Sequence, residues 1–583
     1  MSNMMPTWWK WGDPEKSFHL NDFPELKQFL EEKWKKKLAD DFKIPDRLSS
    51  LTVSSFTLED FKSIFPELNP SQFSIDNEER LRYAFGKSYH DAIRIFTDDQ
   101  VIAPDFVLFP ESVDDVVHIL KQAEKNQITV ITFSGGSNVT GAVGIEAPPR
   151  PSPKGGSTSA LELPPPLSRE QMGRVEDNWT CSLNMKRMDR LIDIDPVSLT
   201  ATFEAGIYGP ELERILYEQG FTLGHFPQSF EFSTLGGWLA TRSAGQESGL
   251  YGKIEDMVLG LKVVTPRYTI EQTDFPKHAS GIDVHPLFIG SEGTLGVIVH
   301  AKMRIHRKPG KYKWVVALFK DLESGVSALQ KIVQSGIHPA ISRLSDTDET
   351  KMLSLFSQTK KKGFQKLARD WMKSYLAAKG YQNPSILMMR FAINNLSDIT
   401  ASKVASKIAR AHKAKLLPAS VSDNWEKNRF ALPYLRDTLI EHRIVIDTFE
   451  TVTYWKDLLP LYHHIRDSLK KESDYFEKGG LLFCHLSHIY QTGASLYFTL
   501  MAQQEKDNEL NQWLKIKEIV SKAIIDHGGA ISHHHGIGKD HRKWYLQKLT
   551  AGERKILQTI KQHFDPNSIL NPGKLFDENT GMR

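Results

Sequence analysis

Cysteine is nearly missing: there are two in 583 residues, Cys181 and Cys484. Two thiols cannot build a disulfide framework, and their scarcity fits a reducing compartment. An excess of one charge is missing too. Lys and Arg number 74 against 71 Asp and Glu, a formal net charge of +3, so no nucleic-acid partner is expected. No apolar run reaches the length that crosses a bilayer. Met1 to Trp11 holds no apolar stretch of the signal-peptide type. Gly581-Met582-Arg583 does not match the serine-lysine-leucine peroxisomal address. The cytoplasm is therefore the expected location.

What is present is a soluble globular composition, 40% hydrophobic and 25% charged, over a length that calls for two or three domains. The stretch before about residue 97 reads as a helical prelude, with Trp8-Trp9-Lys10-Trp11-Gly12 as aromatic anchors. Val107-Leu108, a helix from Val113 to Glu124 and the β-branched run Ile128 to Phe133 then follow β-α-β logic into a glycine turn. The prolines and glycines of 146–178 predict an exposed, flexible insertion, after which Leu191–Ile194 and Leu199–Phe203 resume as strands. Segment 351–381 is basic and amphipathic. It reads as a solvated surface helix, with a peripheral membrane contact as the sharper alternative.

Three small-residue clusters stand out. The first is Ser134-Gly135-Gly136-Ser137-Asn138-Val139-Thr140-Gly141. Glycines let a backbone approach a pyrophosphate and aim its N–H groups at the oxygens. This loop lacks both the G-x-G-x-x-G order and the G-K-[ST] ending, and alone a structural turn explains it equally well. The second runs through Pro227-Gln228-Ser229 and Ser233-Thr234-Leu235-Gly236-Gly237 to Thr241-Arg242-Ser243. The third is Gly290-Ser291-Glu292-Gly293-Thr294-Leu295-Gly296-Val297-Ile298. Together they exceed what structural turns require.

The third string resembles the adenine-side loop of the vanillyl-alcohol-oxidase type of FAD domain. Loop 134–141 is similar to that family's pyrophosphate loop, and Asp565-Pro566 to Gly573-Lys574 to its returning C-terminal tail. The resemblance implies an α+β fold: a helical segment at 1–96, a two-subdomain FAD-binding domain at 97–308, an α+β cap at 309–559 and a return at 560–583. It implies FAD as cofactor, bound by Ser134 to Gly141, Pro227, Gln228, Ser229, Ser233, Thr234, Gly236, Gly237, Thr241, Arg242, Ser243, Glu292, Gly293, Thr294, Gly296, Val297 and Ile298. No histidine or cysteine tether is evident, so non-covalent binding is expected.

Glu204 to Glu213, Gly224-His225, Tyr251 to Asp256 and Ser532-His533-His534-His535-Gly536-Ile537-Gly538 resemble one branch of that family, the alkyl-dihydroxyacetone-phosphate synthases. The resemblance implies exchange of the acyl group of acyl-dihydroxyacetone phosphate for a fatty alcohol, through a flavin N5 adduct with no net redox change, by a homodimer. Histidine suits proton transfer near neutrality. By resemblance the triplet His533, His534 and His535 serves the substrate headgroup and proton transfer, with Tyr497, His225 and Arg343 also catalytic. Arg436 is the expected phosphate clamp, because a guanidinium fork fits phosphate. On a strand, His533 and His535 would share a face. No carboxylate or cysteine is evident beside the triplet in sequence, so no metal is expected. Cys484-His485-Leu486-Ser487-His488 and Gln228 depart from the branch's pattern. The alternatives are an FAD-dependent dehydrogenase of a 2-hydroxy acid such as D-lactate or glycolate, and a non-catalytic FAD-fold scaffold or lipid-binding module. Tyr497 stands where such dehydrogenases carry a histidine.

Overall fold

The computed structural model describes residues 9–12, 18–38, 47–97, 101–145, 178–271, 275–353, 355, 374, 376 and 378–576. Most of the 146–178 insertion and of the basic 351–381 segment lies outside the described residues. Three large sheets and a two-stranded pair, His306–Arg307 with Phe221–Thr222, organise the described residues. Each large sheet is covered by helices whose apolar faces the sequence pattern sets.

The helix Val113–Lys125 begins at a capping box, with Ser112 Oγ accepting from the Asp115 amide at 3.1 Å, which satisfies donors that a helix start leaves open. Its buried Val116, Ile119, Leu120 and Ala123 pack on a four-stranded sheet. The order there is Phe73–Ser74, Phe106–Leu108, Thr180–Asn184, Thr129–Phe133. The predicted β-α-β unit is present, but its two strands are not neighbours. Thr180–Asn184 lies between them, parallel to both. A five-stranded antiparallel sheet follows, with Val297–Arg304 at its centre between Thr200–Glu204 and Val258–Val264.

The third sheet has seven antiparallel strands in the order Lys415–Leu417, Lys311–Phe319, Ser385–Ile393, Ile341–Ser345, Leu481–Ile489, Gly493–Gln503, Ile444–Tyr454. Strand side chains alternate between faces. Cys484, Leu486, Phe498, Leu500 and Phe449 join a core completed by the helices Leu322–Gln334, Trp455–Glu472 and Glu509–Asp526. The alternate residues His485, Ser487, Tyr497, Thr499 and Thr448 face a cavity instead.

Part of the prelude packs on itself, with Trp9, Leu51, Leu81, Phe85 and Ile95 forming a small core completed by Val101 and Ala103, and the rest joins the cores of two sheets. Leu20, Leu26, Leu30 and Trp34 enter the core of the seven-stranded sheet, whereas Phe56, Phe61 and Phe65 enter that of the four-stranded one. At the other end the chain returns to the first sheet. Leu570 bridges Val130, and Asn571 Nδ2 donates to the carbonyls of Ala142 at 2.9 Å and Glu292 at 2.7 Å. Among the described residues no helix is long and apolar enough to cross a membrane.

Candidate active site

The cavity lies between the loops of the two smaller sheets and the open face of the seven-stranded sheet. All three small-residue clusters reach it. Its wall includes Ser134 to Val139, Pro227, Gln228 and Ser229, Thr234, Gly236 and Gly237, Thr241 and Ser243, and Glu292, Gly293, Gly296 and Ile298.

Each loop is held by a local device. Gly136 adopts φ +61° and Gly293 φ +72°, a left-handed region where glycine carries no Cβ penalty. A Cβ on Gly135 would come within 2.0 Å of the Phe232 carbonyl, so only glycine lets the first two loops touch. Glu292 is itself left-handed at φ +52°. Its carboxylate accepts the amides of Ile537 at 2.5 Å and Gly538 at 2.9 Å. Burial pushes that carboxyl up to about 7. Asn138 Nδ2 donates to the His535 carbonyl at 3.0 Å, which ties the first loop to the histidine run.

The cradle fits a dinucleotide. A Cβ on Gly237 would meet only Thr234 Oγ1 at 3.3 Å and Ser134 at 4.0 Å, and one on Gly293 only Thr132 at 3.7 Å, and both glycines line the cavity. Two buried oxygens on the cavity's wall, Thr132 Oγ1 and Gln246 Oε1, lack a partner.

Several expected cofactor residues stand back from the wall. Thr140 bonds the His535 carbonyl, and Gly141 packs under Lys539. Ser233 accepts from Trp238 Nε1 at 2.7 Å, and Thr294 donates to the Ser291 carbonyl at 2.6 Å. Val297 is a core residue at the start of its strand. Arg242 caps the helix Leu235–Thr241 at φ 54° and points outward to Glu255 at 3.5 Å. These six support the cavity's wall without lining it.

Opposite the glycine cradle, strand register assembles a row. Tyr497 pairs with His485 on one side and Glu450 on the other, and its ring stacks on His485 with centroids 4.8 Å apart. Burial raises the Tyr497 hydroxyl to about 12. His485 Nδ1 lies 2.8 Å from Glu349 Oε1, and the same oxygen accepts from Arg343 Nη2 at 2.8 Å. Burial opposes the charge on Glu349, but Arg343 and His485 outweigh it and hold the carboxyl at about 2. Arg343 therefore lines the cavity as half of an ion pair.

His534 and His535 line the cavity; His533 and His225 do not. His225 is fully buried, with Nε2 3.1 Å from Ser243 Oγ and its ring on Trp238. It reaches the wall only through Ser243. The triplet forms an irregular loop, not a strand. The missing carboxylate is supplied by the fold: Glu450 Oε1 accepts the amides of His533, His534 and His535 at 3.1, 2.6 and 2.5 Å. Nothing near the triplet in sequence points to Glu450. The signal is its register opposite Tyr497. Burial lowers His535 to about 4 and takes His533 well below the ordinary range.

The helix Leu432–Glu441 brings Arg436 to the cavity. Its Nη1 donates to the Lys87 carbonyl at 2.7 Å, and its buried Nη2 has no partner. The next residue, Asp437, accepts the Trp11 amide. Trp9 is the expected anchor, edge-on to Phe96 at 5.3 Å, but Trp11 is part of the cavity's wall.

Sequence comparison decides the family. The alkyldihydroxyacetonephosphate synthase of Dictyostelium discoideum is 32% identical over 521 residues, covering 87% of this chain and 79% of that protein. The chain belongs to the alkyldihydroxyacetonephosphate synthase family. The enzyme of that name from Trypanosoma brucei brucei is also 32% identical, over 511 residues, with 87% and 79% covered. A solved alkyldihydroxyacetonephosphate synthase structure superposes with a TM-score of 0.79 at 28% identity, covering 97% of this chain and 98% of that one. Residues 104–147 and 172–274 match the FAD binding domain, and 308–575 match the C-terminal domain of FAD linked oxidases. FAD is the cofactor, and the α+β class expected for the family holds.

Proposed function

We propose that the chain replaces the acyl group of an acyl-dihydroxyacetone phosphate with a fatty alcohol, forming an ether bond with no net redox change. One observation carries this reading: the wall opposite the glycine cradle offers a protonated tyrosine, histidines and a guanidinium nitrogen without a partner. FAD held by the glycine cradle of Ser134 to Val139, Gly236, Gly237 and Gly293, without a covalent tether, would supply an electron-poor ring beside the substrate carbon.

The chain's own groups do the rest. Arg436 Nη2 is free to hold the substrate phosphate, because Nη1 alone is engaged by the fold. A charge-assisted bond of this kind gains strength in a buried site. The histidines take the proton from the carbon next to the ketone. Tyr497 stays protonated across the neutral range, so its hydroxyl donates to an oxygen of the reacting groups. Met352, Leu353, Leu435 and Leu439 give the cavity an apolar side suited to alkyl chains and to the exclusion of water.

The direct test mixes the yellow protein with palmitoyl-dihydroxyacetone phosphate and labelled hexadecanol. Labelled ether product is expected, and acid precipitation should leave all the flavin in the supernatant. A protein that forms no labelled ether refutes the reading. Arg436→Lys keeps the charge but loses the fork. Steady-state kinetics should then show KM for the phosphate substrate rising roughly tenfold or more, with kcat changed less.

A further inference from the structure

We propose that Glu450 is the positioning residue that makes His534, among three consecutive histidines, the proton acceptor of the reaction; the claim rests on the ether-forming reading. Glu450 sits on the strand Ile444–Tyr454 and is 1% exposed. Its two oxygens are divided. Oε1 collects the three loop amides and the Ser532 hydroxyl at 3.0 Å. Oε2 has no hydrogen-bond partner and is in ion-pair contact with His534 Nδ1.

The other two histidines are placed differently. His533 Nε2 is taken by the Tyr490 hydroxyl at 2.6 Å, its Nδ1 faces His534 Nδ1 at 3.0 Å, and its ring does not reach the cavity. His535 lines the cavity, but its Nδ1 is 3.9 Å from Glu450 Oε1, an oxygen already shared by the loop amides. Only His534 combines a cavity position with close contact to the second carboxylate oxygen. With Nδ1 engaged, Nε2 is the nitrogen left to serve the substrate. A histidine oriented by a buried carboxylate has a fixed tautomer and a stabilised imidazolium.

The step balances within these groups. The C–H bond next to the ketone breaks, its electron pair stays on the substrate carbon, and the proton forms an N–H bond at His534 Nε2. The imidazolium is neutralised by Glu450, and the proton returns to the product carbon after the alcohol has entered. The charged and titratable groups around His534 are Glu450, His533, His535, His488, Tyr497 and, farther out, His485, His225 and Lys253, whose Nζ donates to the His533 carbonyl. Glu450 is the one anion among them. Burial opposes its charge, yet His534 and His535 outweigh that and keep it ionised well below the usual carboxylate range.

Glu450→Gln separates this role from loop support, because the amide oxygen still accepts the three backbone N–H groups. In the variant, kcat for ether formation should fall by about a hundredfold or more. KM for the phosphate substrate should hold, and the acid limb of the pH profile should move down by about one unit or more. Glu450→Asp should restore part of that limb. His534→Gln should match Glu450→Gln, with His535→Gln less affected. An acid limb that stays put in Glu450→Gln, or loss of activity with His535→Gln but not His534→Gln, overturns the proposal while the ether reading stands. Absence of ether product from the unaltered protein sinks that reading instead. The pairing is then judged by histidine-selective NMR: a deshielded imidazole N–H signal should be present in the unaltered protein and lost in both Glu450→Gln and His534→Gln. Its absence from the unaltered protein overturns the pairing.

Discussion

Gly237→Val is expected to fold and to purify without colour. Gly237 lies in the helix Leu235–Thr241 and lacks the positive φ of many other glycines here, so a side chain imposes no backbone strain. Its Cβ would meet only one hydroxyl at 3.3 Å and Ser134 at the limit of contact. The valine methyls would project into the cavity beside Ser134 and Thr241, where a pyrophosphate must come close to the backbone. A β-branched residue in a short helix costs well under about 1 kcal/mol, too little to unfold a protein of this size. Thermal melting close to that of flavin-stripped parent protein, together with no visible flavin absorbance, is the expected pair of results. A yellow valine variant would show that the cofactor does not use this loop. Gly135→Ala is less informative, because its methyl would strike the Phe232 carbonyl and displace both loops at once.

Tyr497→Phe should keep its flavin and lose ether formation by about a hundredfold to ten-thousandfold, the range that positioned proton donors contribute. The ring remains stacked on His485 and the strand pairing remains intact, so stability should change little. The hydroxyl is the only group removed. Visible absorbance and product formation measured on one sample decide the matter. Retention of activity within threefold would reduce Tyr497 to a packing aromatic, the role its place on a strand between buried neighbours also allows.

Sequence made the dinucleotide cradle legible because backbone chemistry writes itself into composition. A loop that must touch a ligand or another loop needs glycine, and Gly135, Gly136, Gly237 and Gly293 all reach the cavity. The resemblance also points to Arg436, Tyr497, His534 and His535, and all four line the cavity. What stayed hidden is what register and long-range packing create. Glu450 is more than eighty residues from the histidines it holds, and only the antiparallel pairing with Tyr497 brings it there. The Arg343–Glu349–His485 set is hidden for the same reason, since strand, helix and strand each supply one member. Nothing local in sequence distinguishes Trp11, which lines the cavity, from the anchor Trp9. Arg242 failed in the opposite direction: a residue adjacent to Thr241 and Ser243 in sequence turns outward as soon as the helix ends in a left-handed cap.

Asn571 has a consequence of another kind. A single side-chain amide, near the end of the described chain, clasps the carbonyls of Ala142 and Glu292, which belong to two different dinucleotide loops. Ligation of the cofactor and docking of the last strand-like turn are thereby thermodynamically linked. Because such coupling is reciprocal, whatever loosens the tail weakens the grip on the dinucleotide by the same free energy, and saturation with the dinucleotide protects the tail from fraying to an equal degree.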